Sequence, residues 1–134
     1  MKKTRLKIIT PHGTFWDKDV DMVTLKTTEG YIGLMANKSP LVAGIEVSEL
    51  LINQKSSPES RICAIAGGVV YAKPEGIQII TDAIEFKEKI DVNRAMRAKA
   101  KLEAQLKHKQ DQDEIRKNEM ALMRAINRIN VGKS

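Results

Sequence analysis

The 134-residue sequence has one cysteine, one tryptophan, two tyrosines and two phenylalanines. The lone Cys63 excludes an internal disulfide, and its place in a strand-like apolar run predicts a small buried filler and not a reactive thiol. No apolar run reaches the roughly 18 residues that span a bilayer. The basic residues 1–5 are not followed by a signal-peptide core. We therefore expect a mature, soluble, cytoplasmic chain.

Motifs for metal, cofactor or nucleotide chemistry are also missing. There is no paired histidine for a metal, no cysteine cluster, no Walker loop and no glycine-rich dinucleotide turn. His12 lies in a predicted turn and His108 in a polar linker, so each is expected to be an exposed, non-catalytic histidine. Gly67 and Gly68 join two predicted strands, which favours a bulge or close strand packing over a phosphate cradle. We expect no metal site, no catalytic residue and no enzymatic activity for the chain by itself.

The formal net charge is +6. Such a charge suits nucleic acid, an anionic membrane or an acidic protein partner. Nucleic acid is the weaker of these interpretations, because the sequence has no helix-turn-helix, zinc-finger spacing or aromatic–basic sheet signature.

Short β-branched segments separated by turn residues fill the first two thirds of the chain. The predicted strands are residues 6–10, 14–16, 20–27, 31–35, 41–45, 50–52, 61–66, 69–72 and 77–81. Residues 54–60 form the most polar loop between them. Many short strands with regular turn signals predict an antiparallel β-sandwich or barrel and not a doubly wound sheet.

The pattern becomes helical after residue 91. Asp91 is a good N-cap, although Arg94 stands where a capping box would have Glu or Gln. Apolar residues then recur at helical spacing, first at Ala95, Ala98, Leu102 and Leu106, and later at Ile115, Leu122, Ile126 and Ile129 with Met120 and Met123 beside them. Gly132 is expected to end the second helix.

Two amphipathic helices with a short connection predict an antiparallel hairpin. Each apolar stripe can cover the other, which leaves little apolar surface to fix the hairpin to the strands, so a weakly docked, mobile element is expected. The predicted fold class is α+β, with the β part first: a sandwich over residues 1–86 and a two-helix hairpin over residues 87–134.

Six short segments carry a resemblance to a known family. They are residues 10–13 (Thr-Pro-His-Gly), 28–34 (Thr-Glu-Gly-Tyr-Ile-Gly-Leu), 39–42 (Ser-Pro-Leu-Val), 66–69 (Ala-Gly-Gly-Val), 79–83 (Ile-Ile-Thr-Asp-Ala) and 90–95 (Ile-Asp-Val-Asn-Arg-Ala). Because these segments occur in this order and with this spacing, the chain resembles the epsilon subunits of bacterial F-type ATP synthases. The resemblance covers nearly the whole chain, and the family's sandwich-plus-hairpin fold agrees with the pattern above.

The resemblance implies a non-catalytic rotor-stalk protein that binds the gamma subunit and the membrane ring of c subunits. It places the chain at the cytoplasmic face of the plasma membrane, peripherally and only through the complex. The loops expected to face the c-ring contain Glu29, Gly30, Tyr31, Asn37 and Lys38. The chain departs from the family there: an acidic residue is common at position 31, Pro and His at positions 35 and 38, and Ser at position 66.

The resemblance also implies that the hairpin can extend into the catalytic head of alpha and beta subunits and inhibit ATP hydrolysis. The second helix is strongly basic, and its predicted inhibitory residues are Arg116, Lys117, Arg124 and Arg128. The alternative is a free-standing basic module whose helices bind nucleic acid or an anionic membrane. A solvated helix face would explain each single charge equally well.

Some bacterial members of the family bind one ATP in the folded hairpin, as a regulatory ligand and without hydrolysing it. The matching positions are Glu85, Ile90, Asp91, Arg94, Arg124 and Arg128. Arg94 lies in the first turn of one helix, where free N–H groups favour an anion, and Arg124 and Arg128 share one face of the other. The alternative is that Asp91 only caps the helix, while Arg94 and Glu85 pair at the surface.

Overall fold

The structure is a computed structural model that describes residues 2–108 and 111–134. The strands are β1 (Thr4–Thr10), β2 (Gly13–Val20), β3 (Val23–Thr27), β4 (Gly30–Leu34), β5 (Leu41–Ile52), β6 (Arg61–Lys73), β7 (Gly76–Ile80) and β8 (Ile84–Phe86). A 3-10 turn at Lys87–Lys89 leads to helices α1 (Val92–Leu106) and α2 (Gln112–Lys133). The chain divides into two compact units, Met1–Lys87 and Glu88–Ser134. In the described part of the chain, neither helix is long and apolar enough to cross a membrane.

The strands are hydrogen-bonded in the order β2-β1-β7-β6-β5-β3-β4, with β8 also pairing with β6. The pairings in the described residues are antiparallel except that of β1 with β7, where Leu6 lies opposite Ile77 in parallel. Strands followed by a helical pair confirm the predicted fold class. The single parallel pair is a feature that local sequence patterns do not show.

Strands β5 and β6 are the two longest strands and lie next to each other in the strand order. They pair along their whole length, while the first half of β6 also pairs with β8 and the second half with β7. The prediction of separate strands at 41–45 and 50–52, and at 61–66 and 69–72, was therefore wrong. Glu46 and Glu49, which lie between the two predicted segments, are part of the continuous strand β5.

The side of β6 that faces the core changes at its two glycines. Cys63 and Ile65 are buried before them and Val70 and Ala72 after them, so the buried positions change from odd to even. Gly68 has φ +136°, and a Cβ there would overlap the carbonyl oxygen of Ile80. The close strand approach expected for this glycine pair is therefore what the structure shows.

The sandwich core is built from large aliphatic side chains. Its buried members are Leu6, Ile8, Val20, Val23, Leu25, Leu34, Ile45, Leu50, Ile52, Cys63, Ile65, Val70, Ala72, Ile77 and Ile79. The burial of Cys63 confirms its prediction as a core residue.

One side of the sandwich is closed by aromatic rings. The pairing of β1 with β2 shifts between Ile8 and Ile9, and Phe15 is the extra residue of β2 at that point. The ring centroids of Phe15 and Trp16 lie 4.5 and 6.3 Å from that of Phe86 in β8. Strand β8 was not predicted; its pairing is with β6, about 20 residues earlier in the chain, and such a pairing leaves no local signal.

The hairpin has a thin interface. Of its described residues, Ala95, Ala125 and Val131 are buried. Both helices are capped: the Asp91 carboxylate accepts from the Arg94 N–H at 3.0 Å, and that of Asp111 accepts from the Glu114 N–H at 2.8 Å. The capping role predicted for Asp91 is thus confirmed.

Gly132 does not end α2, which continues to Lys133, so its prediction as a helix stop was wrong. A Cβ on Gly132 would lie 2.6 Å from Cγ2 of Val92 and 3.2 Å from Cγ2 of Ile90. The glycine therefore allows the last turn of α2 to lie against the start of α1, and this contact shows that the two helices are antiparallel.

Candidate functional site

Most of the residues matched to ATP binding lie towards the open end of the hairpin, where the end of α2 meets the start of α1. Gly132 lies against Val92. With a rise of about 1.5 Å per residue, Arg128 stands about 6 Å back along α2 and Arg94 about 3 Å along α1. The two arginines therefore lie at similar heights along the hairpin, and Arg124 lies one turn further in. Arg94 is exposed, whereas Arg124 and Arg128 are half-buried.

The first turn of α1 is partly occupied by its own cap. The Asp91 carboxylate accepts from the Arg94 N–H, and the Asp91 carbonyl accepts from the Ala95 N–H at 3.0 Å. An anion at this terminus would compete with the Asp91 carboxylate for the Arg94 N–H. Asp91 therefore caps α1 in the structure, as the alternative to ATP binding proposed. A phosphate group could reach the Arg94 N–H only by displacing the Asp91 carboxylate.

Glu85, the sixth matched position, belongs to the sandwich. It lies in β8 opposite Ala64 and is half-buried. The other five positions, Ile90, Asp91, Arg94, Arg124 and Arg128, lie in the hairpin.

The four cations predicted to inhibit differ in exposure. Arg116 and Lys117 are exposed in the first half of α2, whereas Arg124 and Arg128 are half-buried further along it. The folded hairpin thus fully presents the first pair, while the second pair lies close to the helix–helix interface.

The loops predicted to face the c-ring lie at opposite ends of β4. Thr28 and Glu29 form the turn before the strand, fixed by the Thr27 hydroxyl, which donates to the Gly30 carbonyl at 3.1 Å. Asn37 and Lys38 follow the other end, about 13 Å away for a strand of this length. The structure therefore does not bring these five residues together into one cluster.

Both loops carry cations held by local contacts. The Lys38 ammonium donates to the Gly33 carbonyl at 2.7 Å. Tyr31, where the family commonly has an acid, is 55% exposed, and the Lys26 ammonium lies 5.9 Å from its ring centroid. A cation held over an aromatic face gives this turn a different chemistry from an acidic turn.

The sequence interpretation missed several surface features of the sandwich. Arg5 Nε donates to Asp17 at 2.8 Å, and this hydrogen bond holds the pKa of the Asp17 carboxyl below its usual range. Lys3 pairs with Asp21 at 2.9 Å, which raises the pKa of that lysine. Alternation along β1 and β2 would have placed Arg5 and Asp17 outward, but their cross-strand register is not visible in the sequence.

One helical assignment was also wrong. Ile126 was expected to face α1, yet it is 37% exposed and Ala125 is buried instead. A helical repeat of 3.6 residues places Ala125 in line with Leu122, Ile129 and Gly132, about 100° away from Ile126. Ile126 thus joins Met120 and Met123 on the outer face. Within residues 2–108 and 111–134, no three His, Cys, Asp or Glu side chains could hold a metal ion together.

Comparison with known proteins covers both units. A family model described as the beta-sandwich domain of the ATP synthase delta/epsilon chain matches residues 3–87, and one described as its long alpha-helix domain matches residues 88–133. Among solved structures, a chain of the Euglena gracilis mitochondrial ATP synthase (OSCP/F1/c-ring) has a TM-score of 0.77 at 19% identity, over 93% of this chain and 78% of that one. At this identity the likeness shows the fold alone.

Relatives of similar length are named ATP synthase epsilon chain. The Mycoplasma mobile protein is 48% identical over 130 residues, covering 96% of this chain and 92% of its own length. The Mycoplasmopsis pulmonis protein is 40% identical, covering 97% and 93%, and the Bacillus pumilus protein is 37% identical, covering 98% of each. Since these matches extend through the sandwich and the hairpin, the chain belongs to the ATP synthase delta/epsilon family as an epsilon chain.

Proposed function

We propose that this chain is a non-catalytic central-stalk subunit of a proton-translocating F-type ATP synthase, where it links the gamma subunit to the c-ring. The observation that carries the proposal is the match of both units, residues 3–87 and 88–133, to the two domains of one family. A Tetrahymena thermophila ATP synthase structure titled central stalk/c-ring contains a chain of the same fold, with a TM-score of 0.53 over 67% of this chain. The protein would then lie at the cytoplasmic face of the plasma membrane, held there by the complex.

The sandwich supports the role of a fixed anchor. Its core is large, and its outer face carries exposed apolar side chains on three neighbouring strands: Val42 (68%), Tyr71 (36%) and Ile80 (46%). Val42 lies directly opposite Tyr71, so the patch is continuous across β5 and β6. Exposed apolar patches of this kind are typical of protein contact sites.

Co-purification with gamma tests the anchor role. Residues 1–87 expressed alone should fold cooperatively and retain gamma in equal stoichiometry. The Ile80→Glu change should weaken retention, because it places a charge in an apolar contact, whereas Ser56→Glu, at an exposed position in the 54–60 loop, serves as the control. Salt-sensitive retention of DNA without gamma binding would instead favour a free-standing basic module.

The hairpin supports a regulatory role, because its small interface means that opening the hairpin costs less free energy than unfolding the sandwich. When extended, its second helix would enter the catalytic head and inhibit ATP hydrolysis. Arg116, Lys117, Arg124 and Arg128 would then pair with acidic groups of the alpha and beta subunits. Two of these cations, Arg124 and Arg128, are half-buried in the folded hairpin and would become fully available only when it opens.

Hydrolysis by the assembled complex tests the inhibition. Ending the chain at Lys87 should raise the rate of ATP hydrolysis, and changing the four cations together to Ala should reproduce most of that rise. A matched control changes Lys99, Lys101, Lys107 and Arg97 of the first helical segment. Unaltered hydrolysis in a fully assembled four-cation variant would count against this role.

The folded hairpin is proposed to bind one ATP at its open end. Arg94 and Arg128 stand at similar heights there, and planar guanidiniums match phosphate oxygens in pairs. Ile90 and Asp91 would contact the adenine. Because a ligand shifts an equilibrium only by its differential affinity, ATP would favour the folded hairpin and relieve inhibition.

Isothermal titration of the full chain decides whether ATP binds. Arg94→Ala and Arg128→Ala should each weaken binding about tenfold or more, from a charged hydrogen bond worth roughly 1.5–3 kcal/mol. Arg116→Ala is the control, since Arg116 is exposed and lies about 18 Å along α2 from Arg128. If millimolar-order ATP gives no heat of binding and no rise in Tm, the proposed ATP site is wrong. The proposed anchor role of the sandwich would be unaffected.

A further inference from the structure

The outer face of α2 carries thioethers beside cations. Met120 is 45% exposed and Met123 is 53% exposed, three positions apart and therefore on one side of the helix. Arg116 and Lys117 precede Met120 by four and three positions, and both are exposed. We call Arg116, Lys117, Met120 and Met123 the methionine face.

The methionine face is not used by the folded hairpin. The helix–helix interface is formed around the buried Ala125 and by Gly132, which contacts Val92. Met120 and Met123 lie on the other side of α2 from Ala125. A chemical change at their sulfur atoms would therefore leave the folded hairpin intact, and would alter only what binds this face.

We propose that Met120 and Met123 form an oxidation site through which peroxide lifts the inhibition exerted by the hairpin. This inference rests on the proposed inhibition of ATP hydrolysis. In the reaction, a sulfur lone pair attacks one peroxide oxygen, the S–O bond forms and the O–O bond breaks. The sulfur loses two electrons, the peroxide is reduced and the second oxygen leaves as water. The product is methionine sulfoxide, which methionine sulfoxide reductases return to methionine.

The partner that fits the methionine face is the catalytic head, at a surface that would offer an apolar groove with an acidic rim. The thioethers suit the groove, because methionine adapts to irregular apolar surfaces. Arg116 and Lys117 suit the rim, and they are the exposed half of the predicted inhibitory cations. A sulfoxide brings a strong acceptor into the groove, and burying it without a donor is costly. Oxidation thus weakens the extended, inhibitory state and not the folded one.

Greater exposure distinguishes Met120 and Met123 from the methionines described in the sandwich. Met22 and Met35 in the sandwich are half-buried, and the sulfur of Met22 lies 3.1 Å from the Cβ position of Gly33. Met96 of α1 is 45% exposed and is an internal reference for an accessible methionine away from the methionine face.

Peptide mapping of the full chain during hydrogen peroxide treatment tests the site itself. Met120 and Met123 should gain one oxygen each at least about threefold faster than Met22 and Met35. Equal rates at all four positions would overturn the proposed selectivity.

Hydrolysis by the assembled complex, reconstituted with oxidised chain, tests the consequence. Oxidation should raise hydrolysis most of the way to the rate obtained with the chain ending at Lys87, and reductase treatment should reverse the change. The Met120→Leu/Met123→Leu variant should inhibit ATP hydrolysis to the same extent before and after peroxide treatment. The Met96→Leu variant should stay sensitive, and Met120→Gln/Met123→Gln should lose inhibition without any oxidant.

Each contrary result has its own meaning. Full oxidation of Met120 and Met123 with inhibition intact would overturn the switch, as would an equal loss of inhibition in the double Leu variant. If the unoxidised complex and the complex with the chain ending at Lys87 hydrolyse ATP at the same rate, the proposed inhibition itself fails and the switch fails with it.

Discussion

The sandwich and the hairpin are stabilised in different ways. The sandwich buries large aliphatic side chains from β1, β2, β3, β4, β5, β6 and β7 in one cluster. The described residues of the hairpin bury only two alanines and a valine. At about 25 cal/mol per Å² of apolar surface, large side chains contribute far more than alanines do.

Because of this difference in burial, we expect the sandwich to stay folded under conditions in which the hairpin opens. A unit held by many large side chains loses its structure only as a whole, whereas a pair of helices in contact through small residues can open at modest cost. The anchor role therefore suits the sandwich, and the switch role suits the hairpin. Four substitutions test this contrast.

Replacing Gly68 should destabilise the sandwich most. In Gly68→Ala the new Cβ would overlap the Ile80 carbonyl oxygen at a φ of +136°, so we expect a loss of about 3 kcal/mol or more. Urea unfolding of the full chain measures it. Gly44→Ala is the control, because a Cβ there meets no described atom within 4 Å. Equal unfolding midpoints for the two variants would contradict the role assigned to Gly68.

Replacing Gly132 should affect the hairpin alone. In Gly132→Val the side chain would collide with Val92 and Ile90, at a cost of about 1–2 kcal/mol. Amide hydrogen exchange in the first turns of α1 should accelerate about tenfold, while the amides of the sandwich keep their rates. Lys133→Val, at the adjacent exposed position, is the control. Faster exchange in the sandwich as well would show that the two units do not respond independently.

Removing a helix cap should have a smaller effect. Asp111→Ala deprives the Glu114 N–H of its acceptor and should cost about 1 kcal/mol, seen as faster amide exchange over the first turn of α2. Asp113→Ala removes a charge from the same turn but not the cap, and should change the exchange rates less. Equal amide exchange rates in both variants would mean that negative charge in the first turn, and not the Asp111 cap, stabilises the start of α2.

The Arg5–Asp17 pair should have the smallest effect, because both side chains are largely exposed and salt screens their attraction. Since the Asp17 pKa is lowered by the hydrogen bond from Arg5, the pair stabilises the sandwich above the usual aspartate pKa of 3.8. That contribution is lost as the pH falls through the lowered value. An NMR titration should place the Asp17 pKa below 3.8, and Arg5→Gln should return it to the usual range. An unchanged Asp17 pKa in Arg5→Gln would assign the shift to another cause.

Local signals in the sequence predicted the features that depend on neighbouring residues. The Asp91 cap, the turn-bounded strands and the helical periodicity after Val92 are of this kind. Features that depend on distant residues were not predictable in the same way. The joining of 41–45 and 50–52 into β5 comes from its continuous pairing with β6, and Gly132 is a contact residue only because Val92 lies opposite. In the candidate site, sequence spacing placed Arg124 and Arg128 on one face, but the similar heights of Arg94 and Arg128 follow only from the approach of Gly132 to Val92.

The parallel pairing of β1 with β7 has a consequence for how the chain is made. Leu6 pairs with Ile77, which is about 70 residues later in the chain, and contacts between such distant residues form slowly. On the ribosome β1 and β2 can pair early, but the other edge of β1 stays open until β7 has emerged. The hairpin residues are translated after the sandwich, so their synthesis gives the sandwich time to close. A ribosome-bound chain should therefore change from protease-sensitive to protease-resistant while the hairpin residues are being translated.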